Sequence, residues 1–307
     1  MKLARSALLW ASQSPRMERL VRSSRLMRPL VAKFMPGETI EAAMEAVKRL
    51  KDDGVPTIMT YLGENVSTDA AAEATVAEYE KLFAALKPYG ADAHVSIKLT
   101  QFGWDVDQPR ALDRVRRMAK LAVANKTVMI VDMEGSPYVE STLAGYEKLA
   151  REFDNAGLCV QAYLHRTPAD LRRLFAVKPY IRLVKGAYRE PADVALSGRP
   201  DIDARYREIA RELLQAGANG ARVVFGTHDV ELVQRIRADA RTLGVAESTF
   251  EVQMLYGIQE SGRRKLASEG IRTRVLISYG RAWYPWFMRR LAEKPSNLFM
   301  IARNMFG

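Results

Sequence analysis

Eight short apolar runs recur along this chain, and most of them end in a polar or charged residue. They read TIMTYLGEN (57–65), HVSIKLTQFG (94–103), TVMIVDMEG (127–135), LCVQAYLHR (158–166), YIRLVKGAY (180–188), ARVVFGTHD (221–229), FEVQMLYG (250–257) and RTRVLISYG (272–280). Between them, apolar residues return every three or four positions, as in Ile40, Ala43, Val47 and Leu50, or Val230, Val233, Ile236, Ala240 and Leu243. Short apolar runs bounded by turn residues are buried strands, and the longer period marks helices with one face on a sheet. Strand and helix alternating eight times predict parallel βαβ units of the α/β class, closed into a (βα)8 barrel. A doubly wound open sheet is the structural alternative. No GxGxxG follows any run, so a Rossmann dinucleotide site is not supported. Thr167-Pro168 reads as a helix start, and Gly54, Gly90 and Gly157 read as helix stops. The expected organisation is an N-terminal helical segment over 1–50 and a barrel over 51–307, with 189–201 as its longest loop.

In 307 residues, 48% of them hydrophobic, one large core is the natural outcome. No apolar stretch nears the roughly 20 residues of a membrane span. A lone cysteine, Cys159, rules out a disulfide framework and reads as a small buried hydrophobe. His94, His165 and His228 show no metal-ligand spacing, so no metal is expected. The net charge of +11 is scattered over helix faces such as 110–120 and 263–272, without a nucleic-acid-reading motif, so nucleic acid is not expected as a partner. Residues 1–37 concentrate charge differently: eight Lys/Arg against the single acid Glu18, interrupted by Leu8, Leu9, Trp10, Met17, Leu20, Val21, Leu26 and Met27. Three readings stay open there: a basic amphipathic segment on an anionic membrane, a transit peptide, and a helix packed on the domain.

Strand parity makes a sharper statement. If Ile97 and Leu99 face the helices, Ser96, Lys98 and Thr100 face the barrel axis. The same alternation turns Asp132, Gln161, Arg182 and Gln253 inward. Buried charges are costly unless paired or used. Several of them on separate strands, near C-terminal ends, point to a ligand site. The set is cationic in net character, which suits an anionic substrate or an electron-rich cofactor. Lys98 alone would also serve a Schiff-base aldolase or lyase. After the last strand, Arg289-Arg290 offers guanidinium forks for a carboxylate, and Glu293 lies three residues beyond.

These residues together resemble a family. The segments YLGEN (61–65), VSIKL (95–99), VDME (131–134), QAYLHR (161–166), RLVKGAY (182–188), THD (227–229), FEVQMLYG (250–257) and WYPWFMRRLAEKPSN (283–297) are similar, in order, to those of monofunctional bacterial proline dehydrogenases. The resemblance implies a distorted (βα)8 barrel and FAD-dependent oxidation of L-proline to 1-pyrroline-5-carboxylate. Hydride passes to flavin N5 and electrons continue to a quinone. It implies Asp132 and Arg182 as catalytic, with Arg182 near the reactive flavin nitrogen. Arg289, Arg290 and Lys98 would grip the substrate carboxylate, Glu293 would be the acid on their helix, and Glu64 would pair with an arginine over the closed site. Leu255 would pack on the substrate ring, and Met133, Gln161, Val184, Lys185, Gly186, Thr227 and His228 would line the cofactor. A quinone partner gives the basic N-terminus a purpose, placing a cytoplasmic protein peripherally on the inner membrane.

One position departs from the pattern. The family's last strand usually reads Tyr-x-Pro-[Tyr/Val]-Gly, and here it reads Leu276-Ile277-Ser278-Tyr279-Gly280. Leucine keeps apolar contact with a substrate ring but donates no hydrogen bond. Two substrate readings follow: proline, with Tyr279 or Trp283 filling the gap, or a bulkier or N-substituted cyclic amino acid.

Overall fold

The computed structural model describes residues 14–24 and 27–293. In chain order the elements are α1 (Pro15–Ser23), α2 (Met27–Phe34), α3 (Ile40–Asp52), β1 (Thr57–Tyr61), α4 (Asp69–Leu86), β2 (Ala93–Ile97), α5 (Gln108–Ala124), β3 (Met129–Val131), α6 (Val139–Glu152) and β4 (Ala156–Gln161). Then come α7 (Thr167–Leu174), β5 (Tyr180–Val184), α8 (Arg199–Ala218), β6 (Arg222–Gly226), α9 (Val230–Thr242), β7 (Phe250–Leu255), α10 (Glu260–Ser268), β8 (Thr273–Tyr279) and α11 (Trp283–Glu293). The eight strands are parallel and pair in sequence order, and β8 closes onto β1 through Thr57↔Val275 to Tyr61↔Tyr279. The expected barrel is therefore the observed one, and the open sheet is excluded.

Local chemistry sets the helix ends. Thr39, Thr68, Asp107 and Asp229 each accept a hydrogen bond from the backbone N–H three residues on, capping α3, α4, α5 and α9. Thr167-Pro168 opens α7 as expected. Gly157 does not stop a helix: α6 ends at Glu152, and Gly157 lies inside β4. A Cβ there would press on Ile130 and Tyr180 at 3.2–3.3 Å, so its smallness serves barrel packing.

The apolar runs overshoot the strands at one end. β3 stops at Val131 although its run continues to Gly135, and β5 stops at Val184 although its run reaches Tyr188. The overhangs leave the ladder and form the loops above the barrel mouth.

Two apolar clusters result. The larger fills the barrel and its helical ring; α3 belongs to it through Ala43, Ala46 and Val47, packed over β1 and β8. The smaller joins Val31, Phe34 and Met35 to Leu62 and to Trp283, Tyr284, Phe287 and Leu291 of α11. Phe34 and Phe287 sit 6.1 Å apart, and Arg22 stacks 5.0 Å over the Trp283 ring. Glu38 accepts from the Trp283 indole at 2.6 Å. Of the three readings left open for residues 1–37, the described part packs Met17, Val21, Met27, Leu30, Val31 and Phe34 against α11, while Leu20 stays exposed; Leu8, Leu9, Trp10 and Leu26 lie outside the described residues. Gly257, at φ +70°, presses so closely on the Lys33 carbonyl that a Cβ would lie 1.7 Å from the oxygen. No helix among the described residues is long and apolar enough to cross a membrane.

Candidate active site

Barrel interiors are usually filled by bulky apolar side chains. Here a polar ladder runs along the axis. At the base, the fully buried Arg274 donates to Glu251 at 2.8 and 3.1 Å and to the Thr57 carbonyl at 3.0 Å. Gln253 donates to Glu251 at 3.0 Å, and its carbonyl oxygen accepts from Arg182 Nη1 at 3.2 Å. Arg182 Nη2 donates to Ser96 Oγ at 3.0 Å and pairs with Asp132, to which Ser96 also donates at 2.7 Å. Lys98 Nζ lies 3.9 Å from the other Asp132 oxygen. Parity therefore predicts this set correctly: Lys98, Asp132, Arg182 and Gln253 share one interior network. Burial works against the Arg182 charge, but Asp132 and Cys159 outweigh it and hold its pKa above the ordinary value.

Asp132 sits just past β3, its N–H bonded to the Ile97 carbonyl at 2.7 Å. Two residues on, by the same alternation, comes Glu134, which the sequence reading passed over. Its carboxylate accepts from Thr100 Oγ1 at 2.6 Å and from Thr100 N at 3.3 Å. Thr100 in turn accepts from Asn65 N at 3.0 Å, and the Glu134 carbonyl accepts from Gln161 Nε2 at 2.8 Å. Glu134 thus joins the loop after β2 to the end of β4, and Thr100 extends the tie to the loop after β1. Burial pushes its pKa up to about 7, against the pull of the Thr100 hydroxyl and the Lys98 cation and with help from Glu64. Extending the period-two pattern past the strand would have found it.

Above the ladder, α11 brings in Arg289. Its guanidinium donates to Glu64 at 2.7 Å and lies 5.6 Å over the Tyr188 ring, whose hydroxyl is 3.4 Å from Glu64. The expected Glu64–arginine pair is present, with Tyr188 as a member the sequence reading did not name. Arg290 is its half-buried neighbour. The Glu293 backbone ends α11, and its side chain lies outside the described residues.

The remaining expected positions ring the same mouth. Met133 is buried and offers its carbonyl to Gln161 at 3.4 Å. Val184 ends β5 opposite Gly226. Gly186, at φ +117°, leaves space only for a hydrogen, because a Cβ would lie 2.2 Å from the Tyr163 ring. Thr227 is buried, its hydroxyl capping the Asp229 N–H at 3.2 Å. His228 Nε2 accepts from Leu255 N at 2.9 Å, which places the imidazole proton on Nδ1 when the ring is neutral. Leu255 pairs in register with Leu276, and both are half-buried on the inward face. Lys185 differs from expectation in its electrostatics: Asp203 at 2.5 Å and Asp229 at 3.3 Å already neutralise it. Among the buried side-chain atoms that lack a hydrogen-bond partner are Arg182 Nε, a donor, and Gln161 Oε1, an acceptor. No group of three metal-ligating side chains occurs among the described residues.

Comparison with known proteins decides the family. The proline dehydrogenase family model matches residues 43–302. Proline dehydrogenase of Deinococcus radiodurans is 36% identical, over 99% of this chain and 98% of that one. Proline dehydrogenase 1 of Bacillus subtilis is 34% identical over 89% of each chain. The chain belongs to the proline dehydrogenase family. By that membership it is an oxidoreductase. Its barrel has structural company: proline utilization A from Bdellovibrio bacteriovorus, solved after inactivation by N-propargylglycine, superposes with a TM-score of 0.82 at 23% identity. That likeness shows the shared barrel; it covers 88% of this chain and about a third of the longer PutA chain. The proline dehydrogenase match takes in every strand, from β1 at Thr57 to β8 at Tyr279, and the arginines of α11.

Proposed function

We propose that this protein oxidises L-proline to 1-pyrroline-5-carboxylate with FAD as its cofactor and a quinone as the final electron acceptor. The observation that carries the reading is the buried Lys98–Asp132–Arg182 cluster beneath the Glu64–Arg289 pair. It offers cations for a substrate carboxylate beside a second, interior cation for an electron-rich ring.

The interior fits a flavin. An isoalloxazine edge presents both N–H and carbonyl or imine groups, the complements of the orphaned Gln161 acceptor and Arg182 donor. Arg182, Gln161, Met133, Val184, Gly186, Thr227 and His228 would hold it. When bound, FAD supplies the hydride acceptor. The protein's own contribution is positioning. Arg289 and Arg290 project from α11 over the mouth and bind the carboxylate, with Lys98 below as a further anchor. That grip sets the ring carbon next to nitrogen toward the interior. Oxidation removes a hydride from that carbon and a proton from nitrogen, leaving the C=N bond. Asp132 holds Arg182 in place, so a fixed positive charge is aimed where negative charge develops and needs no reorganisation. The Glu64–Arg289 pair and Tyr188 close over the site and exclude water.

Leu276 supports a second substrate reading within the same chemistry. It stands half-buried beside Leu255, where a ring-contacting aromatic is usual, and a leucine side chain takes up less room there than an aromatic would, which suits a larger or N-substituted cyclic amino acid. A Schiff-base lyase has no support here beyond Lys98 itself. Membrane contact would use the outer face of α1, where Arg16, Arg19 and Leu20 are exposed.

The test is an absorption spectrum and an anaerobic titration. Purified protein should be yellow, and L-proline should bleach it. A colourless protein that takes up no added FAD overturns the proposal. Bleaching by N-methylproline or hydroxyproline but not by proline selects the second substrate reading.

A further inference from the structure

Four arginines of the described residues are buried: Arg114, Arg182, Arg263 and Arg274. Three are explained. Arg114 bonds Glu73 and the Phe102 carbonyl, Arg182 pairs with Asp132, and Arg274 pairs with Glu251. Arg263 is only 8% exposed, yet its guanidinium makes no hydrogen bond or ion pair with any described residue. It sits on α10 three residues before the fully buried Leu266, on the stripe where the helical period demands an apolar side chain. A cation placed there without a partner weakens the fold. The charges that reach it are distant ones: Asp53 and Glu260 attract it, and Arg264 repels it. Burial leads these effects and presses its pKa below the ordinary guanidinium value.

Arg263 lines a cavity of about 680 Å³. The other walls are the segment just before β1, Asp92 just before β2, and the first residues of β8. These are N-terminal strand ends, so the cavity opens on the face opposite the candidate active site. Arg264 and Arg272 line it as well, against Asp53 and Asp92, leaving three guanidiniums to two carboxylates. Arg272 is exposed and holds Glu251 at 3.2 Å. The volume falls within the range of small-molecule sites.

We propose that this basal cavity binds a small metabolite bearing a multiply charged oxyanion, phosphate or polycarboxylate, with Arg263 as its buried anchor. The guanidinium fork matches either oxyanion bidentately. Arg264 and Arg272 close on it from the rim, and Asp53 and Asp92 accept hydrogen bonds from hydroxyl or amine groups on the ligand body. The site lies apart from proline oxidation, and its test requires no turnover.

Calorimetric titration of the holoenzyme at constant ionic strength, with pyrophosphate, ATP and citrate as probes, distinguishes phosphate from carboxylate ligands. Wild type should show saturable binding of at least one probe with a Kd below about 1 mM. Arg263→Met and the cavity-filling Ala267→Trp should each weaken it at least tenfold, while Arg290→Ala, on the opposite face, should not. Arg263→Met should also melt higher than wild type in probe-free buffer, and the probe should raise the melting temperature of wild type alone. Equal binding by wild type and both cavity variants overturns the proposal. So does binding lost in Arg290→Ala, or a wild-type shift matched by potassium chloride at equal ionic strength. If Arg263→Met does not fold, Ala267→Trp, at an exposed position, decides the matter.

Discussion

Replacing Glu251 by leucine should destabilise the protein by about 4 kcal/mol. Glu251 is buried and carries two bonds from Arg274, one from Gln253 and an ion pair with the exposed Arg272 at 3.2 Å. Removing one member of a buried ion pair costs about 3–5 kcal/mol, because the other charge stays buried and uncompensated. Arg274 would keep the Thr57, Asp92 and Ala91 carbonyls at 3.0–3.4 Å, which places its own share at the low end. The Gln253 amide would lose its acceptor, adding about 1 kcal/mol or more. Unfolding entropy near 2.1 cal/mol/K per residue gives roughly 0.6 kcal/mol/K for 307 residues. The expected fall in melting temperature is then about 6 °C, read by calorimetry with saturating FAD. A carboxylate accepts only, so Glu251 also forces the Gln253 NH2 toward itself and its oxygen toward Arg182. Urea titration should give the same loss, and adding Arg274→Met to Glu251→Leu should recover part of it. A single variant within about 1 kcal/mol of wild type would refute the claim that this ladder is a tightly coupled unit.

Other consequences follow from the same geometry. Glu134 is protonated in both states below about pH 4.5; between there and about 7 the unfolded chain gives up its proton while the folded protein keeps it. Stability from this group therefore falls as pH rises through that window, by at most about 3 kcal/mol, and then levels. Glu134→Gln should gain on wild type between pH 5 and 7.5 in denaturant titrations; parallel curves would count against it. Gly186→Ala forces a Cβ onto the Tyr163 ring at a positive φ, and should weaken FAD binding at least tenfold in a fluorescence titration. Leu276→Tyr should raise kcat/KM for L-proline about 5- to 100-fold, the worth of one ring contact with a hydroxyl, while lowering it for N-substituted analogues. A fall for proline would mean Leu276 is not at the substrate.

Much of the barrel is visible in the sequence because its signal is redundant: eight runs repeat the same strand pattern, and the helices between them keep their own period. The interior polar set is legible for a similar reason. A period of two leaves Asp132 and Arg182 one face only. What escapes is geometry that parity does not carry beyond the ladder. Glu134 and Tyr188 lie in overhangs where alternation must be continued by hand, and Lys185 turns outward to Asp203 and Asp229 once its strand has ended. Gly157 misleads because glycine marks both helix ends and tight barrel contacts, and neighbouring Ile130 and Tyr180 cannot be seen from β4 alone.

On the proposed function, the small apolar cluster divides custody of the substrate. The ladder residues belong to the barrel strands, whereas Arg289 and Arg290 ride on α11, which is seated by Val31, Phe34 and Met35 from the other end of the chain. Gly257 and Glu38 fasten that seat. A graft carrying residues 57–282 into another scaffold would transplant the interior polar axis without the carboxylate grip. Shortening the chain before Met35 would loosen the arginines while leaving the eight strands their own core, so its first symptom should be a risen KM for the amino acid with the flavin still in place.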